Sequence, residues 1–231
     1  MIDPALISGI IRILLVCVII TAAYIISTRN LLSLVSMYSL QSVTLVCLAL
    51  ALYALESAPV LLAIAVVTFI SKAIIIPFFI ATVQEKIRIK RDIEFHFLSP
   101  TTSLLLSMAL MLVVYMALNR ILRETTAREN TLFFFGAVIG ISLMLMGMMV
   151  MLSRKRAITK VLGFLSMENG VLLFGMFVTE LPFIIEFLII IDLIILVLLT
   201  TILTVGIDST LEDYHKRLHR FHLLQGEEER P

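Results

Sequence analysis

Long uninterrupted apolar runs are the feature that most limits what this chain can fold into. Seven runs have about the 20 residues that a helix needs to cross the hydrocarbon core of a bilayer. The chain is 60% hydrophobic and 15% charged, whereas soluble domains have about 45–50% apolar and about 25% charged residues. The sequence therefore predicts an all-α integral membrane protein with about seven transmembrane helices. The predicted spans are Ala5–Ser27, Leu31–Leu55, Val60–Val83, Thr101–Leu122, Leu132–Leu152, Ala157–Val178 and Phe183–Gly206.

The basic residues between these spans indicate the orientation of the chain. With seven alternating spans, 13 of the 18 Lys and Arg residues fall on one side of the membrane and three on the other, while Arg12 and Lys72 lie within spans. The positive-inside rule places the more basic side in the cytoplasm. We therefore expect a multi-pass protein of the cell membrane, with its N-terminus outside and its C-terminal tail inside. The composition gives no sign of a nucleic-acid partner, whereas the basic loop TVQEKIRIKRDIEFHF suits contact with anionic lipid or with a peripheral subunit.

Three ionisable residues fall near the middle of predicted spans: Lys72 in the third, Glu168 in the sixth and Asp192 in the seventh. On insertion scales a Lys or Asp at a helix centre costs about 2.5–3.5 kcal/mol. Burial disfavours the charged form of such groups, which allows them to exchange protons. We predict that Lys72, Glu168 and Asp192 belong to a mid-membrane proton or ion path. The alternative is a buried Lys–Asp pair that only holds two helices together.

Further polar residues accompany these three. Gln41 and Asn169 are candidates for orienting water by hydrogen bonding, and Glu56 is expected near the same groups. Glu186 lies about one turn into the seventh span and is a supporting polar candidate. Both Glu186 and Arg12 are long enough to reach toward the membrane interface.

No catalytic, cofactor-binding or metal-binding set is predicted in this chain. Cys17 and Cys47 lie alone in apolar runs without CxxC spacing or a neighbouring histidine. His215 and His219 have the i, i+4 spacing of two metal ligands on one helix face, and His222 follows. An amphipathic tail that is solvated or contacts another subunit is the preferred interpretation of these histidines.

The two halves of the chain show a repeated pattern. Gln41 lies twelve residues after Arg29, at the end of the first span, and Glu168 lies twelve residues after Arg156, just beyond the end of the fifth. The pattern predicts two parallel three-helix repeats joined by an extra fourth helix. The expected division is 1–83 for the first repeat, 84–131 for a basic loop and linking helix, 132–206 for the second repeat and 207–231 for a cytoplasmic tail.

Glycine and proline predict two local features. Gly136 and Gly140 form a GxxxG pair in the fifth span, and with Gly147 they would let a neighbouring helix approach closely. Pro77 removes a backbone donor from the third span and should kink that helix locally.

The stretch RNLLSLVSMYSLQS resembles the start of the second helix in the K subunit of respiratory complex I and in the C subunit of Mrp cation/proton antiporters. Those three-helix subunits carry one membrane carboxylate on each of their second and third helices, and here the second half supplies Glu168 and Asp192. The first half departs from that pattern, with Ser39 and Gln41 where one carboxylate is expected and Lys72 where the other would lie. At its full length, with LGFLSMENGVLLFG as the most similar stretch, the chain resembles component E of hydrogenase-4-type complexes (the HyfE family).

This resemblance implies a non-catalytic membrane-arm subunit of a complex I-related [NiFe] hydrogenase or formate hydrogenlyase. The [NiFe] centre and iron–sulfur clusters would then belong to partner subunits, and this chain would hold no cofactor. Its expected partners are antiporter-like and other membrane subunits, a peripheral hydrogenase arm, and lipids. Two rival interpretations stay open: a stand-alone secondary transporter, and a purely structural spacer between antiporter-like subunits.

Overall fold

The computed structural model describes residues 4–80, 99–121, 131–154 and 157–178, together with positions 191, 194 and 195. Within these ranges the chain forms six helices that are long and apolar enough to cross a membrane, consistent with a membrane protein. They are α1 (Pro4–Ser27), α2 (Leu31–Glu56), α3 (Pro59–Ile80), α4 (Pro100–Ile121), α5 (Thr131–Ser153) and α6 (Ala157–Val178).

These six helices coincide with the first six predicted spans. Wherever both ends of a predicted span lie in the described residues, each helix end is within one residue of its prediction. The seventh predicted span, Phe183–Gly206, lies outside the described residues except for three single positions. The all-helical membrane class is thus found, while the number of seven spans and the repeat architecture stay predictions.

Local signals set the boundaries of α2. The Asn30 side chain accepts a hydrogen bond from the backbone nitrogen of Leu32 at 3.2 Å, which satisfies one of the free donors at the helix start. The helix ends at Ser57, which has a φ of 54° and donates its backbone N–H to the Tyr53 carbonyl at 2.8 Å. Pro59 then begins α3, since a proline in the first helical turn loses no intrahelical hydrogen bond.

Helices α5 and α6 pack with their backbones very close together, as the glycines of α5 predict. A Cβ atom added to Gly140 would lie 2.7 Å from the backbone nitrogen of Phe174, and one added to Gly147 would collide with the backbone of Met167. Gly136 likewise faces an aromatic side chain of α6. The prediction that these three glycines allow close helix approach is confirmed.

The buried core lies among α1, α2, α3, α5 and α6. Helix α1 packs on α2 and α5, and α2 packs on α3 and α6. Helix α4 lies at the edge, where it contacts α5 and α1. Its most apolar window is only 17% buried, against 67% for that of α6. This packing brings polar residues of α2, α3 and α6 into the interior, among them Gln41, Lys72 and Glu168.

Candidate functional site

A buried ion pair joins two of the three ionisable residues that the sequence places in mid-span. Lys72 Nζ of α3 lies 3.0 Å from Glu168 Oε1 of α6, and the two side chains are only 1% and 2% exposed. A buried charge needs a partner of opposite sign, because desolvation otherwise makes its charged form very costly. In the structure Lys72 and Glu168 are therefore partners in one ion pair.

The backbone around Lys72 has an unusual helical geometry. Residues Phe69–Ile75 form a π-helical segment within α3, closed by a hydrogen bond from the Ile76 backbone nitrogen to the Ser71 carbonyl. Pro77 follows at once; it cannot donate the α-helical hydrogen bond to the carbonyl four residues earlier, that of Ala73. The turns before Pro77 are therefore widened, whereas the local kink that Pro77 predicts stays a prediction. Short π-helical segments are frequent at functional sites.

A serine of α2 contacts this widened segment. Ser39 Oγ donates a hydrogen bond to the Ala73 carbonyl at 3.2 Å, so that α2 supplies a donor where Pro77 supplies none. This contact lies one residue from Lys72 and two residues from Gln41. It therefore connects the backbone that carries the ion pair to the polar residues of α2.

A second group of hydrogen bonds joins α2 to α6. Gln41 Oε1 accepts from Ser166 Oγ at 3.2 Å and from Asn169 Nδ2 at 3.2 Å. Asn169 Nδ2 also lies 3.4 Å from Ser42 Oγ. All four side chains are buried, with Gln41 and Asn169 fully inaccessible. Asn169 directly follows Glu168 in the chain, so this group of hydrogen bonds adjoins the ion pair.

Together these residues form a set that we call the polar layer, shared by three helices. Its members are Ser39, Gln41 and Ser42 of α2, Lys72 of α3, and Ser166, Glu168 and Asn169 of α6.

The close packing of α5 and α6 fixes the position of Glu168. Gly170, two residues beyond it, faces the backbone nitrogen of Met144, which a Cβ would approach to 2.5 Å. Gly163 similarly faces the backbone nitrogen of Met151, at 2.9 Å from an added Cβ. The side of α6 that carries these glycines therefore lies against α5. The side that carries Glu168 and Asn169 is left to contact α2 and α3.

The ion pair has a chemical property that suits proton exchange. A proton that moves from the Lys72 ammonium to the Glu168 carboxylate leaves a neutral amine and a neutral acid. The pair has zero net charge before and after the transfer. The transfer therefore places no uncompensated charge in the apolar interior, where such a charge would be very costly.

A buried arginine, which the sequence analysis counted only among the cytoplasmic basic residues, joins α5 to α1. Arg154 is 1% exposed, and its Nη2 atom donates to the carbonyls of Ile25 at 3.3 Å, Ile26 at 3.0 Å and Thr28 at 2.6 Å. The last carbonyls of a helix lack intrahelical partners and carry its negative dipole end, so a cation there is favourable. The cluster SRKR at the end of the fifth span was the only sequence signal for this contact.

The structure brings Lys72, Glu168, Gln41 and Asn169 together. Asp192 and Glu186 lie outside the described residues.

Two polar residues of α1 and α2 lie apart from the polar layer. The expectation that Glu56 lies near the midplane groups is wrong, because Glu56 is the exposed last residue of α2, about 22 Å along the helix from Gln41. Arg12 is exposed on the surface of α1.

Metal ligands were not expected in the predicted spans. Among the described residues no three His, Cys, Asp or Glu side chains are grouped so as to hold a metal ion. The tail histidines His215, His219 and His222 lie outside the described residues.

Comparisons with known proteins identify no relative: no protein-family model, no curated protein and no solved structure matches this chain.

Proposed function

We propose that this chain is a membrane-arm subunit of an energy-converting complex of the membrane-bound [NiFe] hydrogenase or formate hydrogenlyase type. In this proposal it contributes a segment of a mid-membrane proton or ion path. The observation that carries the proposal is the buried Lys72–Glu168 pair within the polar layer. Buried ionisable residues in apolar helices are rare and mark ion paths and proton relays by default.

The proposed path uses Lys72 and Glu168 as exchanging groups, with Asp192 of the seventh predicted span as the onward carboxylate. Gln41 and Asn169 support the pair through the hydrogen bonds between α2 and α6, and Glu186 is a further polar element toward the outer side. The chain itself would hold no cofactor and catalyse no reaction. Its partners would be antiporter-like subunits, a peripheral hydrogenase arm and lipid.

The proposed repeat is supported by one contact. Ser42 and Asn169 are 127 residues apart, the same interval that separates Gln41 from Glu168. If the halves are repeats, these two residues are equivalent, and equivalent residues meet where two similar units pack around a shared axis. Helix α1 packs on α5 and α2 packs on α6, and in each case the two helices are equivalent members of the proposed repeats. We propose two K-subunit-like three-helix repeats joined by α4, in a seven-helix chain with its N-terminus outside and C-terminus in the cytoplasm.

A structural spacer is the second candidate function, and the ion pair itself is the observation that favours it. A direct Lys72–Glu168 contact at 3.0 Å holds α3 to α6 whether or not protons move. Substitutions that separate transport from assembly decide between these two functions.

The subunit proposal is tested by native mass spectrometry of the gently solubilised protein, tagged at one terminus and purified from its own membrane. We expect it to be recovered with antiporter-like membrane subunits and a [NiFe] large subunit. The Arg154→Leu variant, which loses the α1–α5 contact, provides a control for folding-dependent recovery. Recovery of the wild-type chain alone, with ion transport by the purified chain in vesicles, would contradict the proposal and favour a stand-alone transporter.

A further inference from the structure

The Gln41–Asn169 amide pair satisfies only half of its hydrogen-bonding capacity. Gln41 Oε1 and Asn169 Nδ2 are bonded to each other at 3.2 Å. The other atom of each amide, Gln41 Nε2 and Asn169 Oδ1, is buried without a hydrogen-bond partner among the residues that the structure describes. One of these atoms is a donor and the other an acceptor.

The neighbouring serine hydroxyls do not supply the missing partners of these two atoms. Two primary amides that meet head-on form both N–H···O contacts together, whereas here one contact is made and the other is not. Ser166 Oγ also donates to Gln41 Oε1, and Ser42 Oγ lies 3.4 Å from Asn169 Nδ2. These hydroxyls bond to the same atoms that form the existing contact, and neither of them bonds to Gln41 Nε2 or Asn169 Oδ1.

We propose that the Gln41–Asn169 pair is a binding site for a single water molecule. A water accepts a hydrogen bond from Gln41 Nε2 and donates one to Asn169 Oδ1, which closes a ring of hydrogen bonds between α2 and α6. Buried polar groups are almost always paired with protein or with ordered water, because leaving them unpaired in an apolar interior is costly. A metal cation does not fit as well, since Gln41 Nε2 presents a hydrogen rather than a lone pair.

The inference does not depend on which end of each amide is nitrogen. The Gln41–Asn169 contact requires one donor and one acceptor, so the two amides can only be exchanged together. After that exchange Gln41 Nε2 donates to Asn169 Oδ1, and the outer atoms are Gln41 Oε1 and Asn169 Nδ2. One donor and one acceptor again lack partners, and one water again satisfies both.

This site goes beyond the proposed function and does not rest on it. A water held by two neutral amides is expected whether the chain relays ions or only separates its neighbours. It adds a proton-carrying molecule to the polar layer at the residue that follows Glu168.

The test is a cryo-electron microscopy map of the full protein, with the subunits that purify with it, in lipid nanodiscs at a resolution that shows ordered water. We expect a density peak within about 2.6–3.2 Å of both Gln41 Nε2 and Asn169 Oδ1. A direct Nε2–Oδ1 hydrogen bond, another protein atom bonded to both, or no density would each overturn the proposal.

Two variants sharpen this test. Asn169→Leu removes the acceptor and should abolish the peak, whereas Ser142→Ala should leave it in place. Ser142 is the matched control because it is equally buried and, among the described residues, bonds only to the Val138 carbonyl of its own helix, at 2.7 Å. A peak that persists in Asn169→Leu would overturn the assignment of the water to this amide pair. If Asn169→Leu does not fold, the wild-type and Ser142→Ala maps still decide the proposal.

Discussion

Replacing Lys72 by methionine and Glu168 by glutamine, singly and together, measures how strongly the buried pair couples α3 to α6. Both substitutions nearly preserve side-chain size, so that charge is the main property removed. Each single variant leaves its partner in an environment where the native side chains are only 1% and 2% exposed. The double variant removes both charges of the pair.

The magnitudes follow from the separation and burial of the two groups. At 3.0 Å, with an effective dielectric constant near 20, the attraction of two unit charges is roughly 5–6 kcal/mol. Desolvation offsets much of this attraction, yet removing one member of a buried pair typically costs about 3–5 kcal/mol because the other is left uncompensated. We therefore expect each single variant to lose about 3–5 kcal/mol of unfolding free energy, and the double variant to lie within about 2 kcal/mol of wild type.

The assay is reversible unfolding in mixed micelles at increasing denaturing detergent, followed by helix content. Lys160→Met and Glu56→Gln are the matched controls, because both residues are exposed and carry the same charges. We expect each control substitution to change the unfolding free energy by less than about 0.5 kcal/mol. The effects of the two control substitutions should be additive. The reasoning is refuted if the double Lys72→Met/Glu168→Gln variant loses the sum of the two single effects.

Two further substitutions test the contacts that hold the polar layer in place. Arg154→Leu should lower the unfolding free energy by about 2–4 kcal/mol, since three carbonyls at the end of α1 lose a charged donor. Arg120 is exposed, so Arg120→Leu should be near neutral in the same assay. Equal effects of the two substitutions would contradict the buried contact of Arg154. Gly147→Leu should prevent the native approach of α5 to α6 and cost at least about 3 kcal/mol, whereas Gly9→Leu, where an added Cβ meets nothing within 4 Å, should be tolerated. Thermal unfolding of both glycine variants measures this difference in stability. A Gly147→Leu protein as stable as wild type would refute the close packing.

Helix positions could be predicted from the sequence because the apolar runs are long and their ends carry local signals. Asn30 and Pro59 mark the starts of α2 and α3, and both act through their own backbone neighbours. Close packing at Gly140 and Gly147 was also predictable, since only small residues allow two helix backbones to approach.

The pairing of side chains could not be predicted in the same way. The sequence placed Lys72, Glu168 and Asp192 in one path, but it did not indicate that Lys72 and Glu168 touch. Their contact depends on the packing of α2 between α3 and α6, which involves residues far apart in sequence. The same reason explains why Arg154 was counted with the other basic residues of the cytoplasmic side: its burial depends on the distant end of α1.

The π-helical segment was only partly predictable. Pro77 predicts a local kink because it removes a donor, but the formation of π-helical turns depends on what else supplies that donor. Ser39 of α2 donates a hydrogen bond to the Ala73 carbonyl, and the sequence of α3 by itself does not predict this contact.

The most direct test of the proposed ion path measures ion uptake by vesicles that contain the assembled complex, normalised to enzyme turnover. The variants are Glu168→Gln and the double Lys72→Met/Glu168→Gln, with Glu56→Gln as the control carboxylate. Our account predicts complexes with a full set of subunits in which uptake per turnover falls to the level of vesicles without substrate, while Glu56→Gln behaves as wild type. Normal uptake in the assembled double variant, or loss of assembly instead of uptake in both variants, would contradict the relay and leave Lys72 and Glu168 as a structural link between helices.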